Sequence, residues 1–177
     1  FSKNTFFNSA ENNVTTQAAI WTDMPKWRGT KQPAFLAYLN TSDNNVTGDG
    51  TLFTIGSVTA LTEVFDQGSD FNTNGTFTAP ITGRYFFTSS MAVVGLLNTH
   101  TSGFMGLTTS NRGYATNLFN WFTSATSTNY IATFTWFADM DASDTATCNM
   151  TQFSGTKVVD VQGAADLRTS FAGNLVC

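Results

Sequence analysis

FNTNGTFTAPITGRYFF, residues Phe71–Phe87, sets two glycines, a proline and five aromatic rings into seventeen positions. Gly75 and Gly83 bracket a short segment centred on Phe77. A proline cannot donate to a strand ladder, so Pro80 belongs at a strand end or on a sheet edge. Gly83 is expected to supply the backbone angle that turns the chain into the next strand, where Tyr85 and Phe87 share a face. The stretch reads as a corner packed by Phe77, Tyr85 and Phe87, not as a reactive loop. Each buried ring contributes roughly 2–3 kcal/mol, so Tyr85→Ala is expected to damage folding before any activity.

Outward from this corner the apolar residues recur with period two. In AFLAYL, Phe35, Ala37 and Leu39 fall on one face, with Leu36 and Tyr38 on the other. LFTIGSVTALTEVF is rich in β-branched and aromatic residues. GRYFFTSSMAVV sends Tyr85, Phe87, Ser89, Met91 and Val93 one way. NYIATFTWFADM alternates most clearly, with Tyr130, Ala132, Phe134, Trp136, Ala138 and Met140 against Ile131, Thr133, Thr135 and Phe137. DTATCNM repeats the pattern with Ala146, Cys148 and Met150. Loops of Gly, Asn, Asp and Ser separate these runs, and no long stretch carries a 3.6 period. The chain is therefore all-β, a sandwich or jelly roll. Residues 1–32 lack the period, carry Trp21 and Trp27 around Pro25, and read as a lead-in, with a short helix expected near 14–21. One domain is expected to follow over residues 33–177.

At this point the residues resemble a known family. Phe71, Gly75, Phe77, Pro80, Gly83, Tyr85 and Phe87 resemble the signature of C1q globular-head domains, relatives of the tumour necrosis factor fold. PAFLAYL resembles the family's first strand and VFDQGSDF its approach to the signature. MDASDTATCNM, entered through Asp144, resembles the penultimate strand. In TSFAGNLVC, Phe171, Gly173 and Leu175 resemble the closing Phe-x-Gly-x-Leu. The likeness spans 33–177 and is weakest over 95–128. It departs at Thr82, where many members carry a second proline, and in a turn after Phe71 that is one residue shorter. The resemblance implies a jelly roll of about ten antiparallel strands assembled as a homotrimer. Some members hold calcium near the trimer axis through an acidic residue just after the first aromatic. Asn72 occupies that place here, so the expectation is no cofactor and no metal.

Composition narrows the function. Charged residues make up 11% of the chain, and the net charge is −4 with no basic cluster. A surface that tracks phosphates needs dense Lys and Arg, so nucleic acid is excluded as a partner. No apolar run is long enough to insert in a membrane, and no signal-peptide pattern opens the chain. His100, the only histidine, sits in the polar stretch LLNTHTSG without an acidic orienter and reads as a surface residue, not a catalytic base. Asp139, Asp141 and Asp144 in ADMDASD read as a turn in preference to a metal site. Glycine-rich phosphate loops are missing, and an enzyme is not expected. Cys148 and Cys177 leave a disulfide open.

Ligand binding fits the loops better. LLNTHTSGF, TSNRGYATN and NWFTSATSTN offer rings and amides for stacking and hydrogen bonding to a sugar, with Asn98, His100, Arg112 and Tyr114 as the candidate contacts. Phe86 and Phe137 fall opposite the core pattern, and exposed rings in number favour burial between subunits. Two readings follow. One is a trimeric head domain of a virion structural protein, of fibre, tail or decoration type, on the virion surface, contacting other virion proteins and a host-surface glycan or protein. The other is a secreted, extracellular recognition protein of the C1q-domain type, for which Asn-x-Ser/Thr triplets at Asn13, Asn40, Asn45, Asn74 and Asn149 would accept glycans. A bacterial matrix protein is a third.

Overall fold

The structure, a computed structural model, describes residues 32–118 and 130–176. The lead-in expected over 1–32, its helix and the stretch NWFTSATST fall outside the described residues, apart from Gln32. Thirteen strands and no helix occur among the described residues. They are β1 (Ala34–Tyr38), β2 (Asp43–Thr47), β3 (Leu52–Thr54), β4 (Thr62–Gln67), β5 (Phe71–Asn72), β6 (Thr76–Thr78) and β7 (Gly83–Val94). Then come β8 (Ser102–Thr109), β9 (Gly113–Leu118), β10 (Tyr130–Met140), β11 (Thr145–Phe153), β12 (Val159–Gln162) and β13 (Ser170–Leu175). The excess over about ten comes from short pieces of two and three residues, β3, β5 and β6.

The strands form two antiparallel sheets. In the first the order is β2-β12-β7-β13-β1-β4, with β10 also paired to β7. In the second it is β5-β6-β11-β8-β9, with β3 also paired to β11. The period-two runs read from the sequence face as expected. Phe35, Ala37 and Leu39 of the first run are buried, as are Tyr85, Phe87, Ser89, Met91 and Val93 of β7. Ala132, Trp136, Ala138 and Met140 of β10 are buried, whereas Ile131 and Phe137 are exposed. LFTIGSVTALTEVF is not one strand. Gly56 adopts φ 88°, and the chain leaves β3 in the second sheet to enter β4 in the first.

The corner at Phe71–Phe87 is the aromatic centre of the core. Phe35 stacks on Phe71 at 4.4 Å and on Phe77 at 5.2 Å between ring centroids. Phe87 meets Phe77 at 5.6 Å and Phe171 at 5.8 Å. Such pairs contribute about 0.5–1.5 kcal/mol beyond their buried area. The Tyr85 hydroxyl donates to the Ile81 carbonyl at 2.7 Å, so even the polar tip of this ring is satisfied. Gly173 faces this cluster because a Cβ there would come within 2.5 Å of the Phe87 ring and 2.8 Å of Phe35.

One role expected of the corner moves. Gly83 is an ordinary first residue of β7, in register with Met140 of β10. The special backbone angle belongs to Gly75, at φ 88°. A Cβ on Gly75 would lie 1.8 Å from the Ile55 carbonyl oxygen, so two turns approach here as closely as backbone allows.

Candidate assembly and binding surfaces

The outer face of the first sheet follows from strand register, because residues directly opposite one another share a face. One row runs Ala34, Asn174, Phe86, Phe137 across β1, β13, β7 and β10. The next runs Phe65, Leu36, Ala172, Thr88, Thr135 from β4 to β10. A third runs Tyr38, Ser170, Ser90, Thr133. These three rows contain no charged side chain, while the next row, beyond Phe86 and Phe137, pairs Arg84 with Asp139, both exposed. Phe86 and Phe137 meet at 5.2 Å between centroids. Phe137 is 64% exposed, Ile131 56% and Phe65 44%. The arrangement is an apolar ring pair between rows of threonine and serine hydroxyls on one side and a row of one arginine and one aspartate on the other, a surface with no net charge.

The four candidate contacts do not converge. Asn98 is exposed just before β8, while Arg112 is exposed in the turn after it, with the eight residues of that strand between them. Tyr114 is half-buried on β9 and packs against the core. His100 is a correction: it is wholly buried, not a surface residue. The Leu97 N–H donates to its Nδ1 at 2.8 Å, and its Nε2 lies 3.1 Å from the Thr156 carbonyl, which requires the proton on Nε2. A Cβ on Gly155 would meet the imidazole at 2.2 Å. The ring therefore pins the β7–β8 and β11–β12 loops together, and a polar sequence around it gave no sign of that.

The aspartates of ADMDASD build a turn. Asp144 accepts from Ser110 Oγ, Asn111 Nδ2 and the Asp141 N–H. The Ser110 hydroxyl bond, the largest cause, holds this carboxyl below the ordinary value, with the Asp141 N–H next. Among the described residues no group of three or more His, Cys, Asp or Glu side chains is arranged to hold a metal. Asn72 uses its Oδ1 to accept the Asn74 N–H. Cys148 is a free, buried thiol, pushed up to about 12 by burial.

No family model matches the chain, and no curated protein matches it. Solved structures do. The globular domain of zebrafish complement 1qA protein superposes with a TM-score of 0.53 at 16% identity, over 82% of this chain and 98% of that one. Murine APRIL superposes with a TM-score of 0.53 at 10% identity, over 82% of this chain and all of that one. The fold is a C1q/TNF-like jelly roll. At these identities the likeness carries the architecture alone. Phe71, Phe77, Tyr85 and Phe87 of the corner and Phe171 of the closing strand lie in the core, with Gly173 set against Phe87 and Phe35, and Leu175 packed against the core. The described strands form no helix, and so none long and apolar enough to cross a membrane.

Proposed function

We propose that this C1q/TNF-like domain is a non-enzymatic head of a virion structural protein, of fibre, tail or decoration type. It assembles as a homotrimer on the virion surface and attaches to a host-surface glycan or protein. The observation that carries the reading is the three uncharged rows on the outer face of the first sheet, ending in the ring pair Phe86–Phe137 beside the row of Arg84 and Asp139. Covering the exposed part of Phe137 would contribute about 2 kcal/mol per subunit. A face that makes such contacts with copies of itself leaves the loops at the sandwich ends free for other partners. The low charge of the whole chain supports an exterior particle component over one that handles nucleic acid.

A secreted recognition protein is the second reading, favoured by the exposure of Asn40, Asn45 and Asn74 in their glycan-acceptor triplets. Asn149 is less suited, being half-buried with its Nδ2 donated to Thr108 Oγ1 at 2.7 Å. Intact-mass spectrometry of protein taken from its native source separates the two. The bare chain is expected for the virion component. Glycans on Asn40 or Asn74 exclude it in favour of the secreted protein.

A further inference from the structure

Three loops meet where the signature corner joins the rest of the sandwich: β4–β5, β6–β7 and β10–β11. They border an open hollow of about 400 Å³ with Phe71 and Ala79 at its base. Its polar and proline walls are Asp70, half-buried, and Ser69, Asn72, Thr78, Pro80 and Ser143, all exposed. That volume falls within the range of about 300–1,000 Å³ of small-ligand sites. The walls are held from behind. The Asp66 carboxylate accepts the Asp70 N–H at 3.2 Å and the Phe71 N–H at 3.1 Å. The Thr78 N–H donates to the Asp70 carbonyl at 2.8 Å, and the Ser143 N–H to the Ala79 carbonyl at 2.7 Å. Ser69 and Ser143 are both held at positive φ, 60° and 78°, a conformation that costs a non-glycine residue energy.

What distinguishes this hollow is the state of its polar groups. Elsewhere at this end of the sandwich the side chains are engaged in tying loops together. The Thr82 hydroxyl donates to Asp141 and accepts from the Ala142 N–H, Ser110 donates to Asp144, and Tyr85 donates to Ile81. By contrast, the Asp70 carboxylate and the hydroxyls of Ser69, Thr78 and Ser143 make no hydrogen bond among the described residues and face solvent, so a ligand can take the place of their water. Asn72 commits only its oxygen and leaves both Nδ2 hydrogens. A carboxylate acceptor, an amide donor and three hydroxyls that do either thus converge around one space.

The chemistry of the walls selects the ligand. An anion would face Asp70 and the nearby Asp66 with no Lys, Arg or His in the lining. An apolar molecule would strand five polar groups. A hard divalent cation takes six or more oxygens and favours several carboxylates, and the walls supply one. Burial, and then the neighbouring Asp66, push the Asp70 carboxyl above its ordinary value, so a partner that donates to it is favoured. We propose that this hollow, resting on the attachment reading above, is a subsite for a neutral polyhydroxylated ligand, one monosaccharide unit of a host-surface glycan. Asp70 accepts from adjacent sugar hydroxyls, Asn72 donates, the Ser69, Thr78 and Ser143 hydroxyls complete the ring of contacts, and Pro80 receives a C–H face.

Saturation-transfer NMR on the full chain with free glucose, galactose, mannose and N-acetylglucosamine, followed by an array of neutral oligosaccharides, tests this. Binding in the range of about millimolar is expected for at least one free sugar. Asp70→Ala and Ser143→Gly are each expected to weaken it about tenfold. Ser143→Gly also relieves a left-handed serine, so its melting temperature is expected to rise, which separates lost contact from lost fold. Equal affinity in wild type and both variants overturns the site but leaves glycan attachment standing. No binding of any neutral saccharide overturns the saccharide assignment. If the protein then still binds host surfaces stripped of glycans, the attachment reading survives through a protein receptor. A melting-temperature rise with calcium alone that Asp70→Ala abolishes makes the hollow a cation site and overturns the proposal.

Discussion

Replacing Gly75 by alanine adds a single methyl group at the most confined backbone position of the corner. The native φ of 88° is one that an L-residue adopts at a cost of about 1–2 kcal/mol. The new Cβ would stand 1.8 Å from the Ile55 carbonyl oxygen, far inside any contact real Cβ atoms make. Ile55 cannot easily yield, because its N–H is bonded to the Cys148 carbonyl at 3.1 Å and its side chain is wholly buried. The facing turn is equally tight: a Cβ on Gly56 would sit 2.6 Å from Asn74 and Gly75 backbone atoms. Overpacking of this kind costs about 1–3 kcal/mol, so the total is about 2–5 kcal/mol. At about 3 °C per kcal/mol for a domain of this size, thermal unfolding followed by circular dichroism is expected to fall by about 10 °C. Gly113→Ala is the control. Nothing lies within 4 Å of its added Cβ, and a change within about 0.5 kcal/mol is expected. If Gly75→Ala melts within 2 °C of wild type, the close apposition of these two turns is refuted.

Tyr85→Phe removes the 2.7 Å bond to Ile81 and is expected to cost about 1 kcal/mol in chemical denaturation. Burial raises the Tyr85 phenol above its ordinary value of 10.0; the stability this confers is complete below that value and is lost as pH rises through the folded value. The wild type is thus expected to lose stability above about pH 10 more steeply than Tyr85→Phe; identical slopes would count against the buried phenol. His100→Ala strands the Leu97 N–H and the Thr156 carbonyl and leaves a cavity, so a loss of about 2–4 kcal/mol is expected by the same denaturation; a loss below 0.5 kcal/mol would mean the ring is solvated. Maleimide labelling with peptide mapping at pH 8 is expected to leave Cys148 unmodified in the folded protein and to modify it in denaturant, since the thiol is buried and raised to about 12. Labelling of Cys148 at equal rates in both states would contradict that placement.

The sequence carried the fold because its strongest signals are local and periodic. Along Tyr130–Met140 each residue's face could be read from its neighbours two positions away, and the buried and exposed sets separate as the alternation demands. Signals that depend on a distant segment were lost. His100 looked solvent-facing because its neighbours Asn98, Thr99 and Thr101 are polar, yet its burial is made by Gly155 and Thr156, more than fifty residues away. Gly83 and Gly75 are indistinguishable as letters, and only the approach of Ile55 decides which of them needs to be glycine. Asp66 and Asp70 stand in VFDQGSDF, which resembles the family's approach to the signature, but the hollow also needs Ser143 from another loop. Phe86 and Phe137 were legible as misplaced rings, since apolar residues on the outward beat of an alternating strand announce themselves. Their mutual contact required the β7–β10 register.

The account turns on whether the outer face around Phe137 is covered by identical copies. Multi-angle light scattering of the purified chain at micromolar concentration, beside Phe137→Asn, measures this most directly. A mass of three times the 19.2 kDa chain is predicted for the wild type, with a shift toward single chains in the variant. A wild type that stays at 19.2 kDa, or a variant that keeps the same threefold mass with undiminished stability on dilution, would contradict it.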